Sequence, residues 1–298
     1  MDILQAIILG IVQGLTEFIP ISSTAHLVFA SRLTNVYNGN PAQITATMAV
    51  IQLGTLAAVF VYFAGDIWGI ASAFVRDHVA LLTSRRGLNF SGTNGIRPMW
   101  LSDEAWLGWL IIIGSIPIGT VGLAFKKVIE GPATKNLWVI AVMMIVIAIG
   151  LFFAESIGKQ ERDLKQFGLI DALAVGFSQV LALIPGASRS GSTIMGGLFA
   201  GQKREAAARF SFLLMIPAIT ASGLLELKEA IEQNLLSRDE FLALAIGTVA
   251  AAIVGYLSIW FLLAFLKKRS TGVFIVYRLV IGIVILVLLW KGVISPVV

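Results

Sequence analysis

The chain has 298 residues, of which 57% are hydrophobic and only 13% are charged. Its mean hydropathy is +0.89. Because soluble domains carry about 25% charged residues, this composition excludes an ordinary soluble protein and indicates a polytopic membrane protein. The absence of cysteine excludes disulfides and thiolate metal sites, and two histidines argue against a multi-histidine metal site. The net charge of +5 does not indicate nucleic-acid binding, since basic loops of membrane proteins mainly report orientation.

Two apolar segments near the N-terminus are each too short to cross a bilayer comfortably. The run Asp2–Phe18 predicts one helix, and Pro20 ends it. Ser22 or Ser23 is expected to cap a second helix that continues to about Leu33. Because helix ends at membrane depth must be buried in protein, the two helices are predicted to form a re-entrant hairpin with a polar tip.

The rest of the first half contains three segments that are long and apolar enough to be predicted as membrane spans: Ile44–Phe63, Ala105–Phe125 and Leu137–Phe153. The segment Gly65–Glu104 is interpreted as a long polar loop with an amphipathic patch at Trp68–Val75. Its middle, Ser84–Pro98, is rich in Gly, Ser, Asn and Arg, which is typical of a loop. The sequence assigns no role to this loop.

The second half repeats the order of the first. Two short apolar segments, Leu169–Ile184 and Ser192–Ala200, flank a polar stretch and predict a second re-entrant hairpin. Three further spans are predicted after it: Arg209–Leu227, Phe241–Leu266 and Gly272–Trp290. The predicted fold class is therefore an all-α polytopic membrane protein with six transmembrane helices and two re-entrant helical hairpins.

The two halves also share a short sequence pattern. Gly10-Ile-Val-Gln13, Ile19-Pro20 and Ser22-Ser23-Thr24 align in order with Gly176-Phe-Ser-Gln179, Ile184-Pro185 and Ser188-Arg189-Ser190. We interpret the chain as one membrane domain, residues 1–298, in which repeat one covers 1–157 with the polar loop 65–104 and repeat two covers 168–298. Each repeat crosses the membrane three times, which is an odd number, so the second repeat must be inverted relative to the first. In inverted repeats with broken helices, the two hairpin tips are expected to face each other at the bilayer midplane.

The polar stretch of the second hairpin places a guanidinium, that of Arg189, in apolar sequence. An intramembrane Arg costs at least about 2.5–3.5 kcal/mol on insertion scales, so it needs a partner or a water-filled cavity. The hydroxyls around it belong to Ser188, Ser190, Ser192 and Thr193. Free N–H groups at a helix start bind phosphate and an Arg fork adds bidentate contacts, so this stretch predicts a phosphate site. The alternative is an ordinary Ser- and Gly-rich turn whose Arg reaches the membrane surface.

The first hairpin tip carries groups that complement a phosphate site. Gln13 and Glu17 are four residues apart and therefore share a helix face. The next helix opens with Ser22, Ser23 and Thr24 and carries His26 in its first turn. The structural alternatives for these residues are a surface carboxylate, helix-capping hydroxyls and a hydrogen-bonded core histidine.

Together the two tips suit phosphoryl transfer from a diphosphate, which needs a cationic clamp, a nucleophile and a proton carrier. Arg189 with its neighbouring hydroxyls would clamp the phosphate. Ser23, or a water held near it, would attack, and His26 or Glu17 would act as base and acid. Glu17 with Gln13 could alternatively hold a divalent cation, Mg²⁺ or Ca²⁺, against the diphosphate.

Two motifs carry a resemblance to a known family. They are Gln13-x-x-x-Glu17-Phe-Ile-Pro-Ile-Ser-Ser-Thr-Ala-His26 and Pro185-Gly-Ala-Ser-Arg-Ser-Gly-Ser-Thr193, with further matches at Val50–Gly54 and Arg209–Phe212. These segments resemble the signatures of the bacterial undecaprenyl-diphosphate phosphatase family, also called bacitracin-resistance proteins. The resemblance covers essentially the whole chain.

The resemblance implies a membrane hydrolase that converts undecaprenyl diphosphate to the monophosphate, recycles the lipid carrier of cell-wall synthesis and confers bacitracin resistance. It also implies inverted repeats, two re-entrant hairpins and a site open to the outer face. The implied catalytic residues are Glu17, Ser23, His26 and Arg189, and the expected diphosphate-binding residues are Ser22, Thr24, Ser188, Ser190, Ser192 and Thr193. Gln13 fills the variable first position of the (Glu/Gln)-x-x-x-Glu motif, which halves the carboxylates available to a metal.

The expected partners are a polyprenyl diphosphate and membrane lipids, with no nucleic acid, and a homodimer is a further expectation. Lys and Arg are concentrated in segments that share one side of the predicted topology: 65–104, 159–165, 203–209 and 267–269. This side is predicted to be cytoplasmic, which places both termini outside the bacterial plasma (inner) membrane. Arg189 and Arg278 are left out of this comparison because both fall within the membrane.

A polyprenyl tail needs a lipid-facing groove, and the aromatic candidates for it are Phe60, Phe63, Trp106 and Trp109. The alternative for each of them is ordinary packing in an aromatic belt. A transporter for a lipid phosphate or another anion is the main competing function, because inverted repeats and broken helices also build carriers. A carrier needs charge complementarity but no nucleophile, whereas a structural scaffold would leave the intramembrane Arg unexplained.

Overall fold

The computed structural model describes residues 1–83, 98, 100–126, 136–233 and 240–297. The chain in these ranges is helical and forms no β-strand, apart from isolated bridges between Asn136 and Val297 and between Arg162 and Gln202. In chain order the α-helices are α1 Ile3–Phe18, α2 Ser23–Leu33, α3 Pro41–Tyr62, α4 Ala64–Thr83, α5 Asp103–Ala124, α6 Leu137–Ile157, α7 Leu169–Val180, α8 Arg189–Phe199, α9 Arg204–Glu232, α10 Phe241–Leu266 and α11 Gly272–Trp290.

Six of the described helices are long and apolar enough to cross a membrane: α3, α5, α6, α9, α10 and α11. Their number agrees with the sequence prediction, and the bounds of α10 and α11 are those predicted. The helix α9 is longer than its predicted span, because it begins at Arg204 and continues to Glu232. The protein is therefore a multi-pass α-helical membrane protein.

The prediction of a polar loop over 65–104 was wrong for a large part of that segment. The helix α4 begins at Ala64, directly after α3, and ends at Thr83, so the patch Trp68–Val75 belongs to a 20-residue helix. Residues 84–97 lie outside the described ranges. Averaged over residues 65–104, the segment is polar, and this average does not reveal the amphipathic helix in its first half. The exposed apolar side chains of that helix recur at helical spacing: Trp68, Val75, Val79 and Leu82.

The segments for which hairpins are predicted contain two pairs of short helices, α1–α2 and α7–α8. The turn before α2 (residues 19–22) is called the first tip, and the turn before α8 (residues 184–188) the second tip. Ser22 caps α2 and Ser188 caps α8, each through its hydroxyl. Both serines adopt positive φ angles, 78° and 70°. Such a conformation costs a non-glycine residue of the order of 1–3 kcal/mol, so the same strained turn starts both helices.

Glycines allow the short helices to approach the spans backbone to backbone. A Cβ added at Gly10 of α1 would overlap the carbonyl of Gly247 on α10. A Cβ added at Gly176 of α7 would overlap the carbonyl of Gly114 on α5. Small residues build membrane helix interfaces in this way. Each short pair is therefore seated against the second span of the other half of the chain.

Polar contacts close the end of each short pair that lies away from its tip. At α1–α2, Gln5 Nε2 donates to the carbonyl of Thr34 at 2.8 Å. At α7–α8, Arg162 donates to both carboxylate oxygens of Asp171 at 2.6 Å and to the carbonyl of Ala200 at 3.3 Å. Bidentate pairs of this kind fix orientation as well as distance. The tips are therefore presented by helices that are held at their opposite ends.

Candidate active site

A buried arginine on α11 joins the two tips. Arg278 is 0% exposed, and its guanidinium donates to main-chain carbonyls. Nη1 donates to Pro20 of the first tip at 3.2 Å, and Nη2 donates to Gly186 and Ala187 of the second tip at 2.9 and 3.0 Å. Nε donates to Met144 on α6 at 3.1 Å. The sequence marks Arg278 as a charge within the membrane but indicates no role for it. Its partners are main-chain carbonyls, which every residue carries, so no sequence motif identifies them.

The start of α8, directly after the second tip, also contacts the first tip. The Ser190 hydroxyl, at the start of α8, donates to the carbonyl of Ile19 in the first tip at 3.4 Å. At the end of α1, the ring of Phe18 packs edge-on against Phe212 of α9, with ring centroids 5.4 Å apart. Both of these rings are fully buried. The two tips therefore meet in the interior of the helix bundle.

A carboxylate and a hydroxyl are hydrogen-bonded beside the first tip. Glu17, near the end of α1, is 6% exposed, and its Oε2 accepts the Ser23 hydroxyl at 2.8 Å. The same oxygen accepts Gln13 Nε2 at 3.1 Å, so the two α1 residues share a face, as their spacing indicates. A hydroxyl held by a carboxylate is the arrangement through which a general base activates a nucleophile.

His26 is hydrogen-bonded to groups outside this carboxylate–hydroxyl pair. Its Nδ1 lies 2.7 Å from the carbonyl oxygen of Ser22, and its Nε2 lies 2.7 Å from the hydroxyl of Tyr277 on α11. Because a carbonyl can only accept, Nδ1 carries the proton of the neutral ring, and Nε2 accepts from Tyr277. Glu17 rather than His26 is thus the group that receives the Ser23 hydroxyl. Sequence analysis missed Tyr277, whose only signal is a hydroxyl within an apolar span.

Arg189 provides the clearest sign of an anion site. It is the first residue of α8, which starts earlier than the predicted Ser192 because Ser188 supplies the cap. The Nε and Nη1 of Arg189 and the Ser192 hydroxyl are buried without a hydrogen-bond partner in the described part of the chain. The two residues are three apart and share a helix face. Two donor nitrogens buried without a partner cost free energy, which an anion at the helix N-terminus would offset.

The other hydroxyls of the second tip and α8 have partners within the protein. Ser188 accepts the N–H of Gly191 at 3.2 Å, and its oxygen lies 3.2 Å from the Ser190 hydroxyl. Thr193 shares a hydrogen bond with the Ser211 hydroxyl on α9. These bonds fix α8 against its neighbours, and contact of the three predicted hydroxyls with phosphate stays a prediction.

The hydroxyls of the first tip differ in exposure. The Ser22 hydroxyl accepts the N–H of Ala25 at 3.5 Å and so caps α2, one of the two caps that the sequence allows. Ser22 is 1% exposed, whereas the Thr24 side chain is exposed. The cap holds the turn that places Ser23 and His26 on the first turn of α2. Direct contact of Ser22 or Thr24 with a diphosphate stays a prediction.

The expected metal ligands supply one carboxylate. Across the described ranges, no group of three or more Asp, Glu or His side chains is placed to bind a metal ion. Glu17, Gln13 and Ser23 nevertheless form one cluster that contains oxygen donors. Because Mg²⁺ commonly binds one or two carboxylates and completes its shell with water and substrate phosphates, this donor set fits such a cation together with a diphosphate.

Three of the four aromatic residues considered for a tail groove have other contacts, and Phe60 is exposed. Phe63 is fully buried and does not face lipid, so this candidate is wrong. The indole N–H of Trp106 donates to the carbonyl of Phe167 at 3.3 Å, and that of Trp109 donates to Nε2 of His78 at 3.1 Å. These three rings therefore pack within the protein.

The fold and the site define an all-helical, multi-pass membrane protein with a buried polar site suited to an anion. Comparison with protein families then identifies the group to which it belongs. The family described as bacitracin resistance protein BacA matches residues 6–284 of the chain. The chain belongs to this family.

Several relatives match the chain over nearly its whole length. An undecaprenyl-diphosphatase of Syntrophobacter fumaroxidans is 49% identical over 286 residues, which cover 95% of each chain. An undecaprenyl-diphosphatase of Chlorobaculum tepidum is 44% identical over 303 residues, covering 99% of this chain and 100% of the relative. An undecaprenyl-diphosphatase of Myxococcus xanthus is 44% identical over 296 residues, covering 99% and 92%. None of these names favours a transporter.

Proposed function

We propose that this protein is an undecaprenyl-diphosphate phosphatase, a membrane hydrolase that removes the terminal phosphate of undecaprenyl diphosphate. The product, undecaprenyl phosphate, returns to cell-wall synthesis as a lipid carrier, and this recycling would confer bacitracin resistance. The observation that carries this proposal is the placement of two groups. The unpaired guanidinium nitrogens of Arg189 lie directly after the second tip, and the hydrogen-bonded Glu17–Ser23 pair lies beside the first tip. Arg278 is hydrogen-bonded to both tips and holds them together. The family and the full-length relatives support the same reaction.

In the proposed reaction, an oxygen nucleophile attacks the terminal phosphorus, and the bond from that phosphorus to the bridging oxygen breaks. Undecaprenyl phosphate leaves with the bridging oxygen. Ser23 or a water beside it is the nucleophile, and its proton passes to Glu17, whose Oε2 already accepts the Ser23 hydroxyl. Attack by Ser23 forms a phosphoserine, which water cleaves to inorganic phosphate, whereas attack by water releases phosphate directly.

The second tip supplies the positive end of the proposed site. Arg189 and the N–H groups at the start of α8 bind the non-bridging phosphate oxygens, where charge is spread in the transition state. Ser192 adds a donor from the same helix face. His26 lies one turn from Ser23 on α2, and both of its ring nitrogens are hydrogen-bonded, to Ser22 and to Tyr277. We therefore assign it to holding the start of α2 against α11, which positions Ser23.

We also propose that Glu17 and Gln13 hold a divalent cation, Mg²⁺ or Ca²⁺, jointly with the diphosphate. Such an ion would neutralise and orient the diphosphate oxygens. Because the protein offers one carboxylate here, the ion is expected to bind with the substrate rather than before it.

The proposed topology is an inverted repeat in which each half has a re-entrant hairpin followed by three spans. Two matched pairs support it: the strained caps Ser22 and Ser188, and the close-packed glycines Gly10 and Gly176. The members of each pair are aligned in the sequence repeat. We place the Lys- and Arg-rich side in the cytoplasm, and both termini and the opening of the site outside the bacterial plasma (inner) membrane.

Phosphate release from a polyprenyl diphosphate by the purified protein in detergent tests the proposed function. The wild type is expected to release phosphate with Mg²⁺ or Ca²⁺ present, and Arg189→Ala or Glu17→Gln to reduce kcat/KM by at least about 10²-fold. Arg32→Ala is the matched control, because Arg32 lies at the far end of α2 and donates to the Ser295 carbonyl. No release by the wild type, with uptake of lipid phosphate into liposomes, would establish a carrier instead.

A further inference from the structure

An apolar groove opens beside His26, at the edge of the proposed active site. It has a volume of about 420 Å³ and lies between α1, α2 and α11. Its walls are formed mainly by Ile8, Val12, Phe29, Leu33, Ile281 and Val284. The hydrogen-bonded pair of His26 and Tyr277 also lines it, so the groove begins where the polar site ends.

The groove follows the helices away from the first tip. On α11 its lining continues from Tyr277 to Leu288, which is about 16 Å at about 1.5 Å per residue. On α2 it continues from His26 to Leu33, the last residue of the helix. Side chains along it are open to the surroundings, since Leu33 is 86% exposed and Val284 is 46% exposed. The groove is thus open to the surroundings along its length and reaches His26 at one end.

We propose that this groove binds the isoprenoid tail of the substrate at the end next to the diphosphate. The inference rests on the proposed function, because it needs a diphosphate held by Arg189 and Ser23. Ser23 and His26 are three residues apart on one face of α2, so a headgroup at Ser23 leaves its first isoprene units over the His26–Tyr277 pair. Branched apolar units gain dispersion contacts from walls of Ile, Val, Leu and Phe and need no polar partner.

A second apolar groove provides a comparison within the same molecule. It has a volume of about 350 Å³ and lies between α4, α5 and α9, with Phe74, Ile112 and Pro217 among its lining residues. Its lining shares no residue with the proposed site, whereas the first groove shares His26 with it. Acyl chains of ordinary phospholipids suit either groove. Of the two grooves, only the one lined by His26 is continuous with the proposed active site, so we expect the prenyl tail to bind selectively in that groove.

Hydrolysis of long and short substrates tests the tail groove. Val284→Trp fills it from α11, and Ile112→Trp is the matched control in the second groove, at exposures of 46% and 47%. Val284→Trp is expected to lower kcat/KM about tenfold for a C55 diphosphate, and to leave it within about twofold for a C5 diphosphate, which is too short to extend past His26. Ile112→Trp is expected to change neither value. An equal loss for both substrates, or no loss for either, overturns the proposal.

A photo-crosslinking experiment tests binding of the tail in the groove independently of whether the protein hydrolyses the diphosphate. A benzophenone side chain at position 284 or, separately, at position 112 would be irradiated with labelled undecaprenyl phosphate, with and without excess dioleoyl phosphatidylglycerol. Selective labelling at 284 that the phospholipid does not suppress supports the tail groove, even if the wild type hydrolyses neither diphosphate. Equal labelling at both positions, or labelling suppressed by the phospholipid, indicates a general lipid surface and overturns the proposal.

Discussion

Replacement of Arg278 tests how the two tips are held together. Its guanidinium donates to Pro20 of the first tip and to Gly186 and Ala187 of the second tip, at 2.9–3.2 Å. Arg278→Met keeps an apolar stem but removes every donor. The carbonyls of Pro20, Gly186 and Ala187 in the tips, and those of Met143 and Met144 on α6, would each lose a donor. A buried carbonyl left without a partner costs about 1–3 kcal/mol, while removal of a buried charge relieves several kcal/mol of desolvation. The two effects oppose each other in the free energy of unfolding.

We therefore expect Arg278→Met to change stability moderately and activity strongly. Without the shared guanidinium each tip can shift against the other, and a displacement of about 1 Å at the reacting groups can cost about 10²-fold in rate. The variant should accordingly lose at least about 10²-fold in kcat. Arg278→Lys keeps the charge but lacks the planar fork that spans both tips, so its kcat should lie between those of Arg278→Met and the wild type.

The assay for this prediction combines phosphate release from a C15 diphosphate, which gives kcat and KM, with thermal unfolding of the same preparations. Arg269→Met is the matched control, because Arg269 is exposed in the connection between α10 and α11 and should keep wild-type kinetics. The reasoning is refuted if Arg278→Met retains the wild-type kcat, or if it loses activity only in proportion to the fraction of unfolded protein.

Three further variants have defined outcomes. Ser23→Ala removes the hydroxyl held by Glu17 and should lower phosphate release at least about 10²-fold, whereas more than half of wild-type activity would exclude Ser23 from the reaction. Gln13→Glu adds a carboxylate beside Glu17 and should lower the Mg²⁺ concentration for half-maximal activity about tenfold; an unchanged Mg²⁺ titration contradicts the shared metal site. Gly10→Ala forces a methyl group into the backbone of α10 and should destabilise the fold by about 1–3 kcal/mol in detergent unfolding, while Gly119→Ala, with open space around it, should not; equal stability of the two variants contradicts the close packing.

Features with a local physical cause were predictable from the sequence. Hydropathy over about 20 residues identifies the six spans and the bounds of α10 and α11, because a bilayer sets the length of apolar helix that it needs. The spacing of Gln13 and Glu17 placed both on one face of α1, where they are hydrogen-bonded. Ser22 was one of two expected caps and is the one that caps α2.

Features that depend on contacts between distant segments were not predictable. Arg278 binds main-chain carbonyls, so the identities of its partners leave no trace in the sequence. The hydrogen bond between His26 and Tyr277 joins residues 251 apart. The helix α4 was missed because polar residues dominate the average of its segment, and because its anchor is a tertiary contact: Asp77 Oδ2 accepts the N–H of Ser102 at 2.8 Å.

A structure of the protein bound to a non-hydrolysable polyprenyl diphosphate tests the shared anion site most directly. The terminal phosphate is expected at hydrogen-bond distance, about 2.7–3.2 Å, from both the Arg189 guanidinium and the Ser23 hydroxyl. Arg278 should remain bound to both tips in that complex. A phosphate that contacts one tip alone, or an Arg189 side chain turned toward lipid, would contradict a site built from the two tips.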